Sequence, residues 1–310
     1  MILAIALNPS LDRTVCLDEL KVGDSNRVIR TETDAGGKGI NLARIAAEMG
    51  AKATAVGYLG GGTGAFVRKV LEREEVPSKF IEVMGETRTN VCIETMCGDP
   101  PTMLNERGPH ISGEQWAELQ DLVQESAAAS SWVALGGSIP PGIPADCMRT
   151  LAEIAHSRGA KVLLDADGEA FVQGMRAGPE FIKPNIREAE RYLARTIPDL
   201  ESACEAAAEL HRDGTDIVVL SRGAQGAILC SQEGLFNAAP PKVEQRSTIG
   251  SGDSLVGAML AALTQGLSLE TSLRWGVAAG AATAMTDGAS IGKKIDFERI
   301  LPSVVMERYG

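Results

Sequence analysis

The chain has 310 residues, of which 44% are hydrophobic and 23% charged, which is enough for one large core. Its 41 acidic and 30 basic residues give a formal net charge of -11, which opposes long-range attraction to nucleic acid or to an anionic membrane. The six cysteines are scattered, and no apolar run is long enough to span a bilayer. We therefore expect a reduced, soluble, cytoplasmic protein with neither a nucleic-acid nor a membrane partner.

Short runs rich in Val, Ile and Leu alternate with stretches of helical period, a pattern typical of βαβ units. The candidate strands are 2–7, 53–58, 132–135, 161–165, 180–183 and 217–221. The candidate helices are 39–49, 64–74, 112–126, 144–157, 186–193, 200–213, 252–265 and 269–286. The sequence predicts a single α/β domain over residues 1–310, with a mostly parallel central sheet flanked by helices.

Two segments interrupt this alternation, approximately residues 14–34 and 87–104, where strand-like runs follow one another with no helix between them. Sequential elements tend to lie close together, and mobile covers over active sites often have this kind of structure. We therefore predict that the two segments meet in a small β-sheet lid.

The segment TIGSGDSLVGAM, residues 248–259, is a glycine-rich turn that opens directly into a helix. Gly250 and Gly252, with Ser251 between them, allow several backbone N–H groups to converge at the positive end of the helix as an anion hole. Asp253 lies at its mouth, where a carboxylate can accept the proton of an attacking hydroxyl during phosphoryl transfer. Taken alone, the pattern is explained at least as well by an ordinary helix cap.

A second glycine-rich turn, DAGGKGINLAR, occupies residues 34–44. Its glycines allow a ligand to contact bare backbone, Asn41 can both donate to and accept from hydroxyls, and Lys38 supplies positive charge. The binding candidates in this turn are Gly36, Gly37, Lys38 and Asn41. Asp12, in NPSLD after the first strand, can take two sugar hydroxyls. A tight connection with a solvated lysine, and ordinary turn chemistry at Asp12, remain the alternatives.

The predicted lid contains Arg88, in TRTN, and a guanidinium suits a phosphate that is bound but not transferred. Arg27, in the other lid segment, is a second candidate. Ser138 lies in the turn GGSIPPG, which we expect at the same edge of the sheet. Exposed arginines and ordinary turns explain these residues equally well in isolation.

A nucleotide side is indicated by KPNIRE, where Asn185 and Glu188 could hold water around Mg²⁺. The same pair fits a capping box, which does not exclude metal binding. The turn SRGAQG, beginning at Ser221, could place an adenine or ribose against backbone.

Taken in this order, the segments resemble the PfkB family of the ribokinase-like fold along nearly the whole chain, especially its bacterial phosphofructokinases and tagatose-6-phosphate kinases. The runs that carry the resemblance are NPSLD, AGGKGIN, TRTN, LNERGP, GGSIPPG, DADGEA, IKPNIREAE, SRGAQGA and TIGSGDS. Two departures are GSGD in place of the usual GAGD, and Arg222 where Gly or Leu is frequent.

The resemblance implies that Asp253 is the catalytic base and that Gly250, Ser251 and Gly252 form the anion hole. It implies sugar-phosphate binding by Asp12, Gly37, Asn41 and Arg88, with Arg88 on the existing phosphate. The residues implied to line the nucleotide and magnesium side are Lys183, Asn185, Glu188, Ser221, Gly223 and Gly226. By the same analogy, Ser247, Ile249 and Gly288 would lie near a monovalent cation such as K⁺, and two copies of the chain would pair through their lids.

The sequence thus predicts an enzyme that transfers the γ-phosphoryl group of ATP, with Mg²⁺, to a ketohexose phosphate. Fructose 6-phosphate is the preferred expectation, because the run before TIGSGDS and the helix WGVAAGAAT look closer to minor 6-phosphofructokinases. Fructose 1-phosphate and tagatose 6-phosphate remain alternatives, since LNERGP looks closer to that branch. A nucleoside or unphosphorylated-sugar kinase and a non-catalytic sugar-phosphate sensor are more distant alternatives.

Overall fold

The computed structural model describes residues 1–97 and 100–309, so residues 98 and 99 of the second predicted lid segment and residue 310 lie outside the described residues. The strands are β1 (Ile2–Ala6), β2 (Ser10–Leu17), β3 (Arg30–Gly36), β4 (Ala53–Leu59), β5 (Ser78–Glu82), β6 (Arg88–Thr95), β7 (Thr102–Asn105), β8 (Trp132–Gly136), β9 (Lys161–Asp165), β10 (Phe181–Ile182), β11 (Ile217–Ser221), β12 (Ala227–Ser231), β13 (Gly234–Ala239) and β14 (Val305–Tyr309). The helices are α1 (Lys38–Glu48), α2 (Gly61–Arg73), α3 (Gly113–Ala127), α4 (Cys147–Ser157), α5 (Gly168–Met175), α6 (Ile186–Leu193), α7 (Leu200–Arg212), α8 (Ser251–Thr264), α9 (Leu269–Ala284) and α10 (Lys294–Ile300).

The central sheet contains ten strands in the order β14-β13-β12-β11-β10-β9-β8-β1-β4-β5. The strands from β11 to β5 in this order are parallel, and β12, β13 and β14 extend the sheet as antiparallel neighbours. Strand β1 is buried along its whole length, which explains its continuous apolar run, ILAIA. This architecture confirms the predicted mostly parallel α/β sheet.

Helices cover both faces of this sheet. Side chains of β1 alternate between the two faces, so Ile2 and Ala4 join one core, and Leu3 and Ile5 join the other. The first core packs against α1, α2, α8, α9 and α10, and the second against α3, α4, α5, α6 and α7. Among the described helices, none combines the length and the hydropathy required to cross a membrane.

The predicted lid is present as a separate four-stranded sheet in the order β3-β2-β6-β7. Strand β2 pairs in parallel with β6 and antiparallel with β3, and β7 pairs antiparallel with β6. We call this sheet the lid. It begins at Ser10, earlier than the predicted residue 14, because only three residues separate the end of β1 from the start of β2.

Several elements differ from the sequence-based expectation. Strands β5, β12, β13 and β14 and helices α5 and α10 were not predicted, and the remaining elements agree within a few residues. The hairpin of β12 and β13 was missed because residues 222–226 were interpreted only as a glycine turn. Gly226 does form that turn with a positive φ of 87°, and the antiparallel hairpin follows it directly.

Close packing of α1 against α8 brings two chemically important helix starts to one edge of the sheet. Gly257 permits this approach, because an added Cβ would collide with Cγ2 of Ile45 and lie 3.0 Å from the carbonyl oxygen of Leu42. The carboxyl ends of β1, β8 and β9 lie at the same edge, the usual position of ligand sites in parallel sheets.

We expect Gly257→Ala to destabilise the protein by about 1–3 kcal/mol, because the extra methyl group overpacks the contact between α1 and α8. Gly113→Ala is the matched control, since an added Cβ at this first residue of α3 meets no described atom within 4 Å. Denaturant unfolding of both variants measures the difference. A Gly257→Ala protein as stable as Gly113→Ala would show that the contact is not close.

Candidate active site

Helix α8 begins with an uncapped turn. Gly250 adopts the left-handed conformation at the N-cap, with φ 74° and ψ −6°, and no side chain of the described residues caps the helix. The N–H groups of the first turn have no intrahelical partner, so they present partial positive charge to whatever lies before the helix. This geometry is the one that the predicted anion hole at GSGD requires, and Asp253 lies in the first turn of α8.

A three-residue ion cluster lies beside the anion hole. Asp165, the last residue of β9, contacts Nζ of Lys38 at 2.7 Å and Nζ of Lys183 at 3.2 Å. The side chains of Asp165 and Lys183 are each only 4% exposed. Because a buried charge is costly unless it is paired, Asp165 fixes both ammonium groups at this point of the sheet edge.

Asp253 is held close to this cluster without joining it. Its Oδ2 accepts a hydrogen bond from Nδ2 of Asn41 at 2.9 Å. Burial raises the pKa of Asp253, and the nearby charge of Asp165 adds to this effect, while Lys38 opposes it. Burial alone would also raise the pKa of Asp165, but Lys183 and Lys38 hold it below its ordinary value. Asp165 therefore stays ionised, and Asp253 is the stronger base of the two.

A cavity of about 300 Å³, which we call the smaller cavity, opens between the lid and the sheet edge. Asp12 lines it, and Oδ1 of Asp12 accepts hydrogen bonds from Ser10 Oγ at 2.6 Å and Asn90 Nδ2 at 2.8 Å. The other predicted residues along its wall are Gly37, Lys38, Asn41, Arg88, Ser138, Ile249, Gly250 and Asp253.

Arg88 lies at the lid side of the smaller cavity. Its Nε donates to the carbonyl oxygen of Asn8 at 3.1 Å, and its Nη1 donates to the carbonyl oxygen of Glu106 at 3.2 Å. Neutral carbonyl groups orient the guanidinium without neutralising it. Arg88 therefore keeps a positive charge that an anionic ligand could use.

A second cavity of about 640 Å³, the larger cavity, lies on the other side of α8. Its wall contains the predicted residues Lys183, Asn185, Glu188, Ser221, Gly223, Ser251, Gly252 and Asp253, together with Lys38. Asn185 and Glu188 form the expected capping box at the start of α6. Oε2 of Glu188 accepts from the backbone N–H of Asn185 at 2.8 Å, which leaves Oε1 for a ligand in the cavity.

Asp253 and Lys38 line both cavities. The two cavities therefore meet at a carboxylate, an ammonium group and the start of α8. A group passing from a ligand in one cavity to a ligand in the other would cross this junction.

Other predicted residues lie near the cavities or away from them. Gly36 packs directly against the Asp12 carboxylate, because an added Cβ at this position would collide with it. Ser247 accepts a hydrogen bond from the backbone N–H of Ile249, and Gly288 lies beside Thr14 in the lid. Arg27 and Gly226 line neither cavity.

Arg222, one of the two departures noted in the sequence, does not itself line the larger cavity, whereas its neighbours Ser221 and Gly223 do. Its guanidinium donates to Gln225 at 2.9 Å and to Asn237 at 3.4 Å, along β13. The expectation that this arginine could alter nucleotide contacts stays a prediction.

Sequence reasoning missed four polar residues of this site: Asn8, Asn90, Asn105 and Asp165. The signals were present for two of them. Asn90 is two residues beyond Arg88 on a strand and so shares its face, and Asp165 ends a buried parallel strand. Asn105 required knowledge of the pairing between β6 and β7.

Comparison with known proteins places the chain among kinases. Residues 6–295 match the pfkB family carbohydrate kinase. A 1-phosphofructokinase of Bacillus subtilis is 34% identical over 99% of this chain and 100% of its own length. The ATP-dependent 6-phosphofructokinase isozyme 2 of Escherichia coli is 31% identical over 96% of this chain and 97% of its own.

The fold agrees with these relatives. The structure of phosphofructokinase-2 from Escherichia coli in complex with potassium superposes with a TM-score of 0.90 at 31% identity, covering 97% of this chain and 98% of that one. The ribokinase-like fold expected from the sequence is confirmed.

We expect Asp165→Asn to destabilise the protein by about 3–5 kcal/mol, because it leaves two neighbouring ammonium groups, one of them buried, without their countercharge. Chemical denaturation at neutral pH measures the loss. Asp167→Asn is the matched control, because its exposed carboxylate pairs with exposed Arg191 and asparagine also caps a helix. Equal midpoints for the two variants would contradict a stabilising role for the cluster.

Proposed function

Because the chain belongs to the pfkB family of carbohydrate kinases, we propose that it transfers the γ-phosphoryl group of ATP to a hydroxyl of a fructose monophosphate. The product would be fructose 1,6-bisphosphate. We further propose that residues 1–310 act as one kinase domain and that the reaction takes place in the cytoplasm.

One observation supports this proposal above the others: Asp253 lines both cavities at the start of α8. A kinase must bring a nucleotide and an acceptor together at one base and one anion-stabilising group. We assign the larger cavity to ATP and the smaller cavity to the sugar phosphate.

In the proposed reaction, Asp253 accepts the proton of the attacking hydroxyl as its oxygen bonds to the γ-phosphorus and the bond to ADP breaks. The raised pKa makes Asp253 a stronger base than a surface aspartate. The N–H groups of the first turn of α8, between Gly250 and Asp253, stabilise the charge on the transferring phosphoryl oxygens. Lys38 and Lys183 add positive charge beside the same point.

The smaller cavity separates two kinds of contact. Arg88 would bind the phosphate already on the sugar, since its guanidinium has only neutral carbonyl partners among its hydrogen bonds. Asp12, Gly37 and Asn41 would contact sugar hydroxyls nearer the junction. Closure of the lid over this ligand would exclude water, which would otherwise compete as the acceptor.

On the nucleotide side, the residues fit Mg²⁺ held mainly by ATP and water. Within residues 1–97 and 100–309, no group of three or more acidic, histidine or cysteine side chains could hold a metal by itself. Glu188, with one carboxylate oxygen free in the larger cavity, could bind the ion through water beside Asn185. When bound, Mg²⁺ would neutralise phosphate charge. Ser221 and Gly223 would contact the nucleotide.

The relatives favour fructose 1-phosphate as the acceptor. Five relatives named 1-phosphofructokinase are 31–36% identical to this chain, and the 6-phosphofructokinase of Escherichia coli is 31% identical. Fructose 6-phosphate, the expectation from the sequence, is the second candidate. Both would yield the same bisphosphate, and they differ in which end of the sugar lies at Asp253. Tagatose 6-phosphate remains a third acceptor to be tested.

We also propose that two copies pair through their lids. Several large apolar side chains of the lid and of the loop between β2 and β3 are exposed, including Val22 at 93% and Met96 at 71%. A monovalent cation is a further proposal. The similar Escherichia coli enzyme is described in complex with potassium, and Ser247, Ile249 and Gly288 are the candidate residues here.

The direct test is ADP release with Mg-ATP and each of fructose 1-phosphate, fructose 6-phosphate, tagatose 6-phosphate and unphosphorylated fructose. We expect kcat/KM for one fructose phosphate to exceed that for fructose by at least about 10- to 100-fold, the value of a charge-assisted contact to Arg88. Equal use of the unphosphorylated sugar would favour a simple sugar kinase. Nucleotide binding without turnover of any sugar would favour a sensor.

We expect Asp253→Asn to lower kcat by about 10²- to 10⁴-fold, while binding of the sugar phosphate and the circular dichroism spectrum are retained. Asp296→Asn in α10 serves as the control, because this carboxylate pairs with Arg299 on the surface. Near-normal turnover in Asp253→Asn would remove Asp253 from the role of base.

A further inference from the structure

A row of polar side chains crosses the lid at the smaller cavity. The strand register pairs Asp12 in β2 with Asn90 in β6, and Asn90 with Asn105 in β7. Directly paired residues in neighbouring strands share a face, and all three line the smaller cavity. The cavity therefore faces a carboxylate and two carboxamides side by side.

Asn90, the middle residue of this row, has one satisfied and one unsatisfied group. Its Nδ2 donates to Oδ1 of Asp12 at 2.8 Å, so the NH2 group of the carboxamide faces Asp12. Its Oδ1 is buried and has no hydrogen-bond partner among the residues that the structure describes, and the residue is only 9% exposed. Buried side-chain acceptors normally have a donor, so this oxygen calls for one from a ligand.

The missing donor matches a sugar hydroxyl. The carboxylate of Asp12 lies beside Asn90 and is also an acceptor, so this part of the wall requires a ligand that donates hydrogen bonds. Arg88, the donor for an anion, is two residues away on the same strand and the same face, about 7 Å along β6. That distance suits a phosphate and a ring hydroxyl of one sugar phosphate.

We propose that Asn90 is a specificity-determining residue, whose side-chain carbonyl oxygen accepts a hydrogen bond from a secondary hydroxyl of the bound ketohexose phosphate. This inference rests on the proposed fructose-phosphate kinase activity and adds a residue that selects among its substrates. A sugar that lacks this hydroxyl, or carries it in the opposite configuration, leaves the buried oxygen unpaired. If this hydroxyl is the one on carbon 4, where fructose and tagatose phosphates have opposite configurations, Asn90 also discriminates between these two sugars.

The test compares the preferred fructose phosphate with its 3-deoxy and 4-deoxy analogues in wild-type protein and in Asn90→Ala. Calorimetry without nucleotide gives Kd, and ADP release gives kcat/KM. In the wild type, we expect loss of one hydroxyl to weaken binding by about 5- to 100-fold. In Asn90→Ala, the penalty for that same hydroxyl should fall to within about twofold, because the acceptor is gone.

Thr89→Ala is the matched control, because Thr89 is the neighbouring residue of β6 and its side chain points to the opposite face. It should keep the full wild-type penalty. If Asn90→Ala does not fold, Asn90→Val gives the same comparison, since valine suits a β-strand and also lacks a hydrogen-bond acceptor.

A purely structural role, in which Asn90 only holds Asp12, would weaken the parent sugar and both analogues by the same factor, and that result overturns the proposal. The proposed kinase activity is judged separately by wild-type turnover. Suppose that the wild type turns over a fructose phosphate and that Asn90→Ala loses as much affinity for the deoxy analogue as the wild type does. That result refutes the role of Asn90 and leaves the kinase activity standing. Failure of every ketohexose phosphate to bind or react refutes both proposals.

Discussion

The salt bridges of Asp165 with Lys38 and Lys183 are the constraint on which the rest of the site depends. They join the end of β9, the start of α1 and the residue after β10 at one point. Without Asp165, two ammonium groups would lie close together at a buried sheet edge, and their repulsion would separate these elements. With Asp165 ionised between them, both ammonium groups lie beside Asp253. The two cavities therefore share a charged wall formed by Lys38 and Asp253.

The lid is covalently connected to this part of the sheet edge at two places. Three residues separate β1 from β2, and β3 runs directly into Gly37 and α1. Buried Arg44 of α1 strengthens the connection, because it donates to the carbonyl oxygen of Ala35 and pairs with Asp34 in β3 and Glu74 after α2. One continuous segment therefore carries both the lid strand β3 and the turn with Lys38 and Asn41, and Asn41 already donates to Asp253. The lid and the proposed phosphoryl-transfer point are connected by this short stretch of chain.

Much of this arrangement could be predicted because glycine-rich turns at strand ends are local signals. The segment around Gly250 and the turn before Lys38 both lie where their sequences indicated. The hairpin of β12 and β13 could not be found in the same way, since the glycine turn before β12 does not by itself show whether a strand or a helix follows it. Asn105 enters the cavity only through its pairing with Asn90, and Arg27 lies outside it, because neither position is determined by neighbours in the sequence.

The central claim is that Asp253 receives the proton of the acceptor hydroxyl at the junction of the two cavities. A crystal structure with the preferred fructose phosphate and a non-hydrolysable ATP analogue tests it most directly. The account predicts a sugar hydroxyl about 2.6–3.2 Å from the Asp253 carboxylate, the γ-phosphate at the start of α8 and the sugar phosphate at Arg88. A sugar bound with its phosphate at Asp253, or a nucleotide bound outside the larger cavity, would contradict it.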